Sequence, residues 1–338
     1  MIEFPGARRQ AEAVISLVAC GRGSGGPGKI VAFTMHASPL SRREFLAATA
    51  LWALPVGAAL AADRPRGAEP VIDIHQHTHY HGRADAQLVA HQRAMGVTHT
   101  VLLPAGRLYG LDATCGGNQS VLDLAHQYPT EYSCFANEVA DLPEAVAEIR
   151  RYLDRGAIGI GEQKFRVDCD SPAIEAIAEL AQSYRVPVLL HFQHGAYNTH
   201  IERFHRILKK YPKVNFIGHA QTWWGNIDKH HDQAVMYPKG PVTPGGLTDR
   251  LLSEYPNMYG DCSAGSGLNA LTRDEAFTRR FLKRHQNKLL FGSDCEDTVG
   301  RGPACAGAQI LAAIRRLAPS KRIERKILYH NAKRLLRV

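Results

Sequence analysis

The chain has 338 residues, 45% of them hydrophobic and 22% charged, with a formal net charge of +9. That excludes disordered and fibrous classes and suffices for one large core or at most two modest domains. The basic excess does not form a nucleic-acid surface, because its densest run (Arg315 to Arg337) alternates with apolar positions at helical spacing, as a solvated helix face does.

The chain opens on an address. Residues 1–34 hold a glycine-rich stretch, Gly21 to Gly28, without periodicity. They precede Met35 and are expected to be disordered or an extension ahead of the true start. Residues 35–61 read as a signal peptide. Ser41-Arg42-Arg43-Glu44-Phe45-Leu46 is a twin-arginine pattern, Ala47 to Ala62 is mildly apolar, and Ala59-Leu60-Ala61 offers small residues for cleavage. The apolar run is short and interrupted by Pro55, which speaks against a spanning helix. The expectation is export of a folded protein by the Tat machinery, to the periplasm or beyond, with no stable membrane anchor. Seven cysteines occur without a CxxC pair, which argues against a zinc knot. Cys20 falls in the segment expected to be removed, and the other six are read as mostly buried thiols.

Residues 62–338 repeat a strand-helix rhythm over a length close to the ~250 residues of a (β/α)8 barrel. The predicted strands are Val71–His75, Thr98–Leu103, Tyr132–Asn137, Ala157–Glu162, Val186–His191, Val214–His219, Met258–Asp261 and Lys288–Ser293. Asp141 with Glu144 and Thr272 with Glu275 fit capping boxes, and Ser171 precedes Pro172 as a cap before a first-turn proline. Ile174, Ile177 and Ala181 trace one helical face. The long stretch from Gln221 to Thr248 is expected to loop over the barrel mouth. A doubly wound open sheet is the rival, but no glycine-rich dinucleotide turn follows the first strand.

Polar residues fall where the predicted strands end, the face on which such barrels carry chemistry. Strand one ends in His75-Gln76-His77, strand four in Glu162-Gln163-Lys164, strand five in His191, strand six in His219 and strand eight in Asp294. His75 and His77, two apart, point the same way in a strand, and Asp73 is in phase with them. One such histidine could be a satisfied core residue. Strands one, five, six and eight, ending in imidazole or carboxylate on one face, suit a divalent ion, since burying that many ionisable groups without a partner is costly.

These residues resemble the amidohydrolase superfamily. Val71-Ile72-Asp73-Ile74-His75-Gln76-His77, Phe216-Ile217-Gly218-His219, Leu290-Phe291-Gly292-Ser293-Asp294 and the closing Tyr329-His330-Asn331-Ala332 look like its "amidohydrolase 2" branch. The resemblance covers roughly residues 70 to 338 and implies a metal-dependent enzyme on a TIM barrel. His75, His77, His191 and Asp294 would hold a divalent metal, zinc by ligand type, with His219 polarising the attacked bond or joining the ligands. Binuclear members bridge two ions with a strand-four Lys or Glu, so Glu162 is a further ligand and Lys164 a contact for a substrate carboxylate or phosphate. Asp294 would move the proton. Gln193, His194, Tyr197, Gln221 and Lys239 are pocket candidates. Trp223 and Trp224 are either pocket residues or packed anchors, and Asp261 either meets substrate or orients a histidine.

The branch contains hydrolases and non-oxidative decarboxylases. The expected activity is therefore hydrolysis of a small-molecule ester, lactone, amide or related bond, with decarboxylation of an aromatic or unsaturated acid as the alternative. A non-catalytic exported metal or small-molecule binder is the remaining class. The expected partner is a small-molecule substrate, with self-association left open.

Overall fold

The computed structural model describes residues 69–106 and 114–338. The expected extension over 1–34 and signal peptide over 35–61 lie outside the described residues.

All eight predicted strands form, mostly shorter than expected. They are β1 (Ile72–Gln76), β2 (His99–Leu102), β3 (Tyr132–Cys134), β4 (Ile160–Gln163), β5 (Val188–His191), β6 (Phe216–His219), β7 (Met258–Asp261) and β8 (Leu289–Leu290). Every pairing is parallel and sequential, in one set from β1 to β3 and another from β4 to β8. Backbone bonds join the two sets at both seams. Ala136 N–H donates to the carbonyl of Gly159 at 2.9 Å, and Ile74 N–H donates to that of Phe291 at 3.0 Å. The sheet thereby closes into the expected (β/α)8 barrel.

Strand alternation divides the core. Ile72, Ile74, Val101, Leu103, Phe135, Leu189, Ile217 and Leu290 form one buried cluster together with Ala332 and Leu336 of the last helix. Their strand neighbours Leu102, Cys134, Val188, Leu190, Phe216 and Leu289 pack in the larger cluster that includes the surrounding helices. Asn331 ties the last helix to the start of β8, its Nδ2 donating to the carbonyls of Gln286 and Leu289 at 2.9 Å. That helix closes the end of the barrel away from the histidines, which accounts for the Asn-Ala pair near the C-terminus.

One predicted cap holds and two move. Ser171 Oγ accepts from Ile174 N–H at 3.4 Å with Pro172 opening the helix Pro172–Tyr184. Ile174, Ile177 and Ala181 are buried on its inner face. Asp141 does not cap its helix, because Pro143 follows in a run of turns and the helix begins only at Ala145. Thr272 instead ends the helix Ala264–Thr272, and Asp274 caps the next one by accepting from Phe277 N–H at 2.9 Å. A register shift in β1 between Asp73 and Gln76 also breaks the expected phase. Asp73 accepts from Gln92 Nε2 at 2.8 Å and Ser293 N–H at 2.9 Å, while His75 and His77 face the mouth group.

Candidate metal centre

Five side chains from four strand ends meet at one end of the barrel. Nε2 of His75 lies 3.2 Å from Nε2 of His77. Glu162 Oε2 stands 3.6 Å from the first and 3.8 Å from the second. Nε2 of His219 lies 3.5 Å from Glu162 Oε1 and 3.4 Å from Asp294 Oδ2. Two overlapping ligand sets result, His75 with His77 and Asp294, and His75 with Glu162 and His219; within each the donor atoms lie inside 4.8 Å of one another. His191 is set beside them, its Nδ1 at 2.5 Å from Glu162 Oε1.

The outward-facing nitrogens fix how the rings present themselves. Nδ1 of His77 is 2.7 Å from the carbonyl of Leu103, which can only accept, so Nδ1 carries the hydrogen and Nε2 offers a lone pair to the centre. Nδ1 of His75 makes the same kind of bond to Asp261 Oδ2 at 2.7 Å. Asp261 Oδ2 also lies 3.1 Å from Nδ1 of His219 and accepts from Ser263 Oγ at 2.7 Å. One buried carboxylate thus orients two imidazoles.

The local sequence makes room for this. A Cβ at Gly292 would come 2.5 Å from Asp261 Oδ1 and 2.9 Å from His75 Cβ, so only glycine lets the chain just after β8 pass behind the pair. A Cβ at Gly218 would sit 2.5 Å from the Trp223 ring, which fixes glycine just before His219. Beyond β8 the chain leaves the regular ladder; Asp294 adopts φ 41°, and its N–H donates to the His75 carbonyl at 2.8 Å. Ala220 and Ala264, the residues after His219 and Ser263, are also left-handed at φ 82° and 62°. All three line the mouth, the kind of place where strained backbone collects.

A protein-family model described as amidohydrolase matches residues 72–338. The chain belongs to the amidohydrolase family. No curated protein sequence matches it. An uncharacterised TIM-barrel protein from Bordetella bronchiseptica is similar in fold, with a TM-score of 0.57 at 16% identity over 80% of this chain and 99% of that one. The 5-carboxyvanillate decarboxylase of Sphingomonas paucimobilis superposes with a TM-score of 0.51 at 14% identity, over 76% of this chain and 84% of its own. A probable 2-pyrone-4,6-dicarboxylic acid hydrolase from Acinetobacter baumannii gives 0.51 at 15% identity, over 79% and 99%.

The charges of this amidohydrolase suit a divalent cation. Burial opposes ionisation of Asp294, but His75, His219 and His77 outweigh it and hold the carboxyl well below the usual carboxylate range. Glu162 is likewise disfavoured by burial yet held well below that range by His191 and His75. Asp261, also buried, is drawn down to about 2 by His75 and His219. The imidazoles answer in kind: burial disfavours the His77 cation, but Asp294 and the nearby Cys115 thiol raise it to about 9. A bound cation would take the place of protons on the Nε2 atoms in balancing these carboxylates. Asp294 Oδ1 is buried without a hydrogen bond, which suits an atom that would ligate a cation.

A cavity of about 510 Å³ opens over the group. Lys164, Gln221, His191, His219 and Asp294 line it, and Tyr237 reaches it from the long stretch after β6. Gln193 stands at the rim, its Oε1 3.2 Å from His191 Nε2, and with His194 it borders a separate cleft of about 390 Å³. Tyr197 is buried beneath Lys164, whose Nζ lies 5.5 Å from its ring centre, and Lys239 is exposed away from the cavity. The two tryptophans are packed anchors. Trp223 is fully buried beside Phe192, and Trp224 Nε1 donates to the Asp261 carbonyl at 2.8 Å.

Sequence reasoning missed Tyr80, Ser263 and Cys115. The Tyr80 ring lies 4.9 Å from that of His77, and the Asp294 charge, then burial, push its hydroxyl well above the usual range. Only Ser263 carried a signal, standing just past the end of the strand that closes in Asp261.

Proposed function

We propose that this amidohydrolase is an exported enzyme that hydrolyses an ester, lactone, amide or related bond in a small molecule, with a divalent metal, zinc by donor type, at the barrel mouth. The observation that carries this is the convergence of three imidazole Nε2 atoms and two carboxylates beneath an open cavity. His75, His77, Asp294 and Glu162 would hold the metal, with His191 or His219 completing the set. When bound, such an ion polarises a carbonyl and lowers the pKa of water from ~15.7 towards ~7.

The chain's own groups supply the rest. Asp294 takes the proton of the attacking water and returns it to the leaving group, its two oxygens placed between His77 and His219. His219, oriented through Nδ1 by Asp261 and Ser263, would meet the developing oxyanion as an imidazolium whose Nε2–H donates, its charge balanced by Asp261. Lys164 offers a cation to an acidic substituent of the substrate. Decarboxylation is the second reading, favoured by Lys164 at the cavity and by the fold shared with a carboxyvanillate decarboxylase. A panel of esters, lactones, amides and aromatic acids, assayed in oxygen-18 water, separates the two by the label in the organic product. Hydrolysis places the label in the product. Release of carbon dioxide without incorporation makes the enzyme a lyase, and a metal-loaded protein inert towards the whole panel fits a binder.

Glu162 touches His191 and approaches His75, His77 and His219, as a carboxylate bridging two ions would. Glu162→Gln should therefore retain at least one ion per chain fewer than the unmodified protein, measured by elemental analysis. Equal metal contents would leave Glu162 only an orienting part towards His191.

Among the described residues no helix is long and apolar enough to cross a membrane. Export by the Tat route rests on the twin-arginine segment. Changing Arg42 and Arg43 together to lysine should hold precursor in the cytoplasm, read by fractionation and immunoblot. Undiminished export of that double variant refutes the route.

A further inference from the structure

A second group of ligand-type side chains lies where the helix Asp85–Met95 meets the loop after β8. His91 of that helix, Cys295 next to Asp294, and Cys305 at the start of the helix Ala306–Leu317 are all buried, with ligand atoms within 4.8 Å of one another. The two Sγ atoms are 3.8 Å apart, and Cys305 Sγ is 3.3 Å from Nε2 of His91. Tetrahedral zinc with Zn–S near 2.3 Å and Zn–N near 2.0–2.1 Å sets edges of ~3.8 Å between sulfurs and ~3.6 Å from sulfur to nitrogen. The two edges at Cys305 already stand near those separations, and the third lies within 4.8 Å.

The hydrogen bonds around them prepare ligands. Gln92 Nε2 donates to the Asp73 carboxylate at 2.8 Å, which fixes the amide so that its Oε1 faces Nδ1 of His91 at 3.1 Å. Nδ1 of His91 is then the hydrogen-bearing nitrogen, and Nε2 turns a lone pair towards Cys305. Cys305 Sγ accepts from Ala308 N–H at 3.3 Å at the first turn of a twelve-residue helix; its bond to Cys295, and then burial, push this thiol up, and a bound ion would displace its hydrogen. A fourth donor is near, since Asp297 Oδ2 lies 3.7 Å from Nε2 of His91 and is itself held by the N–H groups of Val299 and Gly300.

We propose that His91, Cys295 and Cys305, with Asp297 as fourth donor, form a second metal site that takes a zinc-type divalent ion. It shares no ligand with the mouth. It clamps the loop after β8 to the helix Asp85–Met95, and that loop carries Glu296 and Asp297 along the cavity wall. Cys295 follows Asp294 directly, and its carbonyl accepts from Gln76 Nε2 at 2.9 Å and Arg83 Nη1 at 2.7 Å. An ion on its sulfur would fix the segment that delivers Asp294 to the mouth.

Cobalt(II) alone, added to reduced, chelator-treated full-length protein, tests this by spectroscopy. The site should give an intense near-ultraviolet thiolate-to-cobalt charge-transfer band. The band should persist in Cys115→Ser, which removes the thiol beside His77, and in His75→Ala, which disables the mouth. It should vanish in Cys295→Ser/Cys305→Ser, together with one bound ion per chain, while circular dichroism confirms the fold. If that double variant fails to fold, the unmodified protein still decides, because absence of the band there overturns the site. The band surviving the double variant overturns it too, as does a Cys295–Cys305 disulfide in purified protein whose reduction yields two packed thiols that bind no cobalt. Because the band reads sulfur ligation and not turnover, failure here leaves the hydrolase reading intact, and the reverse holds as well.

Discussion

Replacing His75 by alanine should abolish zinc binding at the barrel mouth and reduce turnover to background. His75 belongs to both overlapping ligand sets, so its loss takes a donor from each. It is also fully buried, and its ring carries the bond that holds Asp261. Asp261 keeps Ser263 and His219 as partners, so the carboxylate is not orphaned and the barrel should survive. Asp261→Asn gives the graded comparison. It leaves every ligand in place but loses the acceptor charge that orients His75 and His219, and a change of that kind typically costs ~10- to 100-fold in metal affinity. Zinc titration calorimetry in a Cys295→Ser/Cys305→Ser background reads the mouth alone. The expected order of affinity is unmodified above Asp261→Asn above His75→Ala, and unchanged affinity in His75→Ala would refute the assignment of this centre.

Strand ends were the most legible part of the chain. Short apolar runs stopping at His75, His191, His219 and Asp294 carry both the barrel and the place where its ligand-type side chains meet, because a parallel strand buried on both faces must be apolar until it reaches the mouth. Caps and phase were less legible. Asp141 and Thr272 match a capping pattern that also occurs inside turns and at helix ends, and Pro143 and Asp274 decide those cases locally. The β1 register shift cannot be read from alternation, since a bulge is defined by its partner strand.

Side-chain direction was the least legible. Trp223 and Trp224 follow His219 in sequence, yet the helix Ala220–Gly225 turns them into the wall, where Gly218 and Gly260 leave space for the Trp223 ring. Cys295 and Cys305 are ten residues apart with no motif, and His91 is more than two hundred residues from either, so only the closed barrel brings them together. Asp261 had two readings from sequence; the fold turns it away from the cavity and towards two histidines.

Asp294→Asn should retain the fold and much of the metal while turnover falls by ~10²-fold or more, the scale of a lost general acid/base. Asparagine is the informative replacement for a backbone reason as well as a chemical one. Position 294 sits at φ 41°, a left-handed conformation that Asn and Asp tolerate better than other side-chain-bearing residues, so Asp294→Ala would add strain to the loss of function. Asn keeps the size and one oxygen for a ligand. Its amide cannot take the proton assigned to the carboxylate, which stays ionised against burial through His75, His219 and His77. The effect should therefore appear in kcat with little change in KM if the proposed substrate contact is Lys164, a separate group lining the cavity. Metal content and circular dichroism, measured on the same sample, separate this from a structural defect. A variant with normal metal and near-normal kcat would remove Asp294 from proton transfer and leave it as a ligand alone.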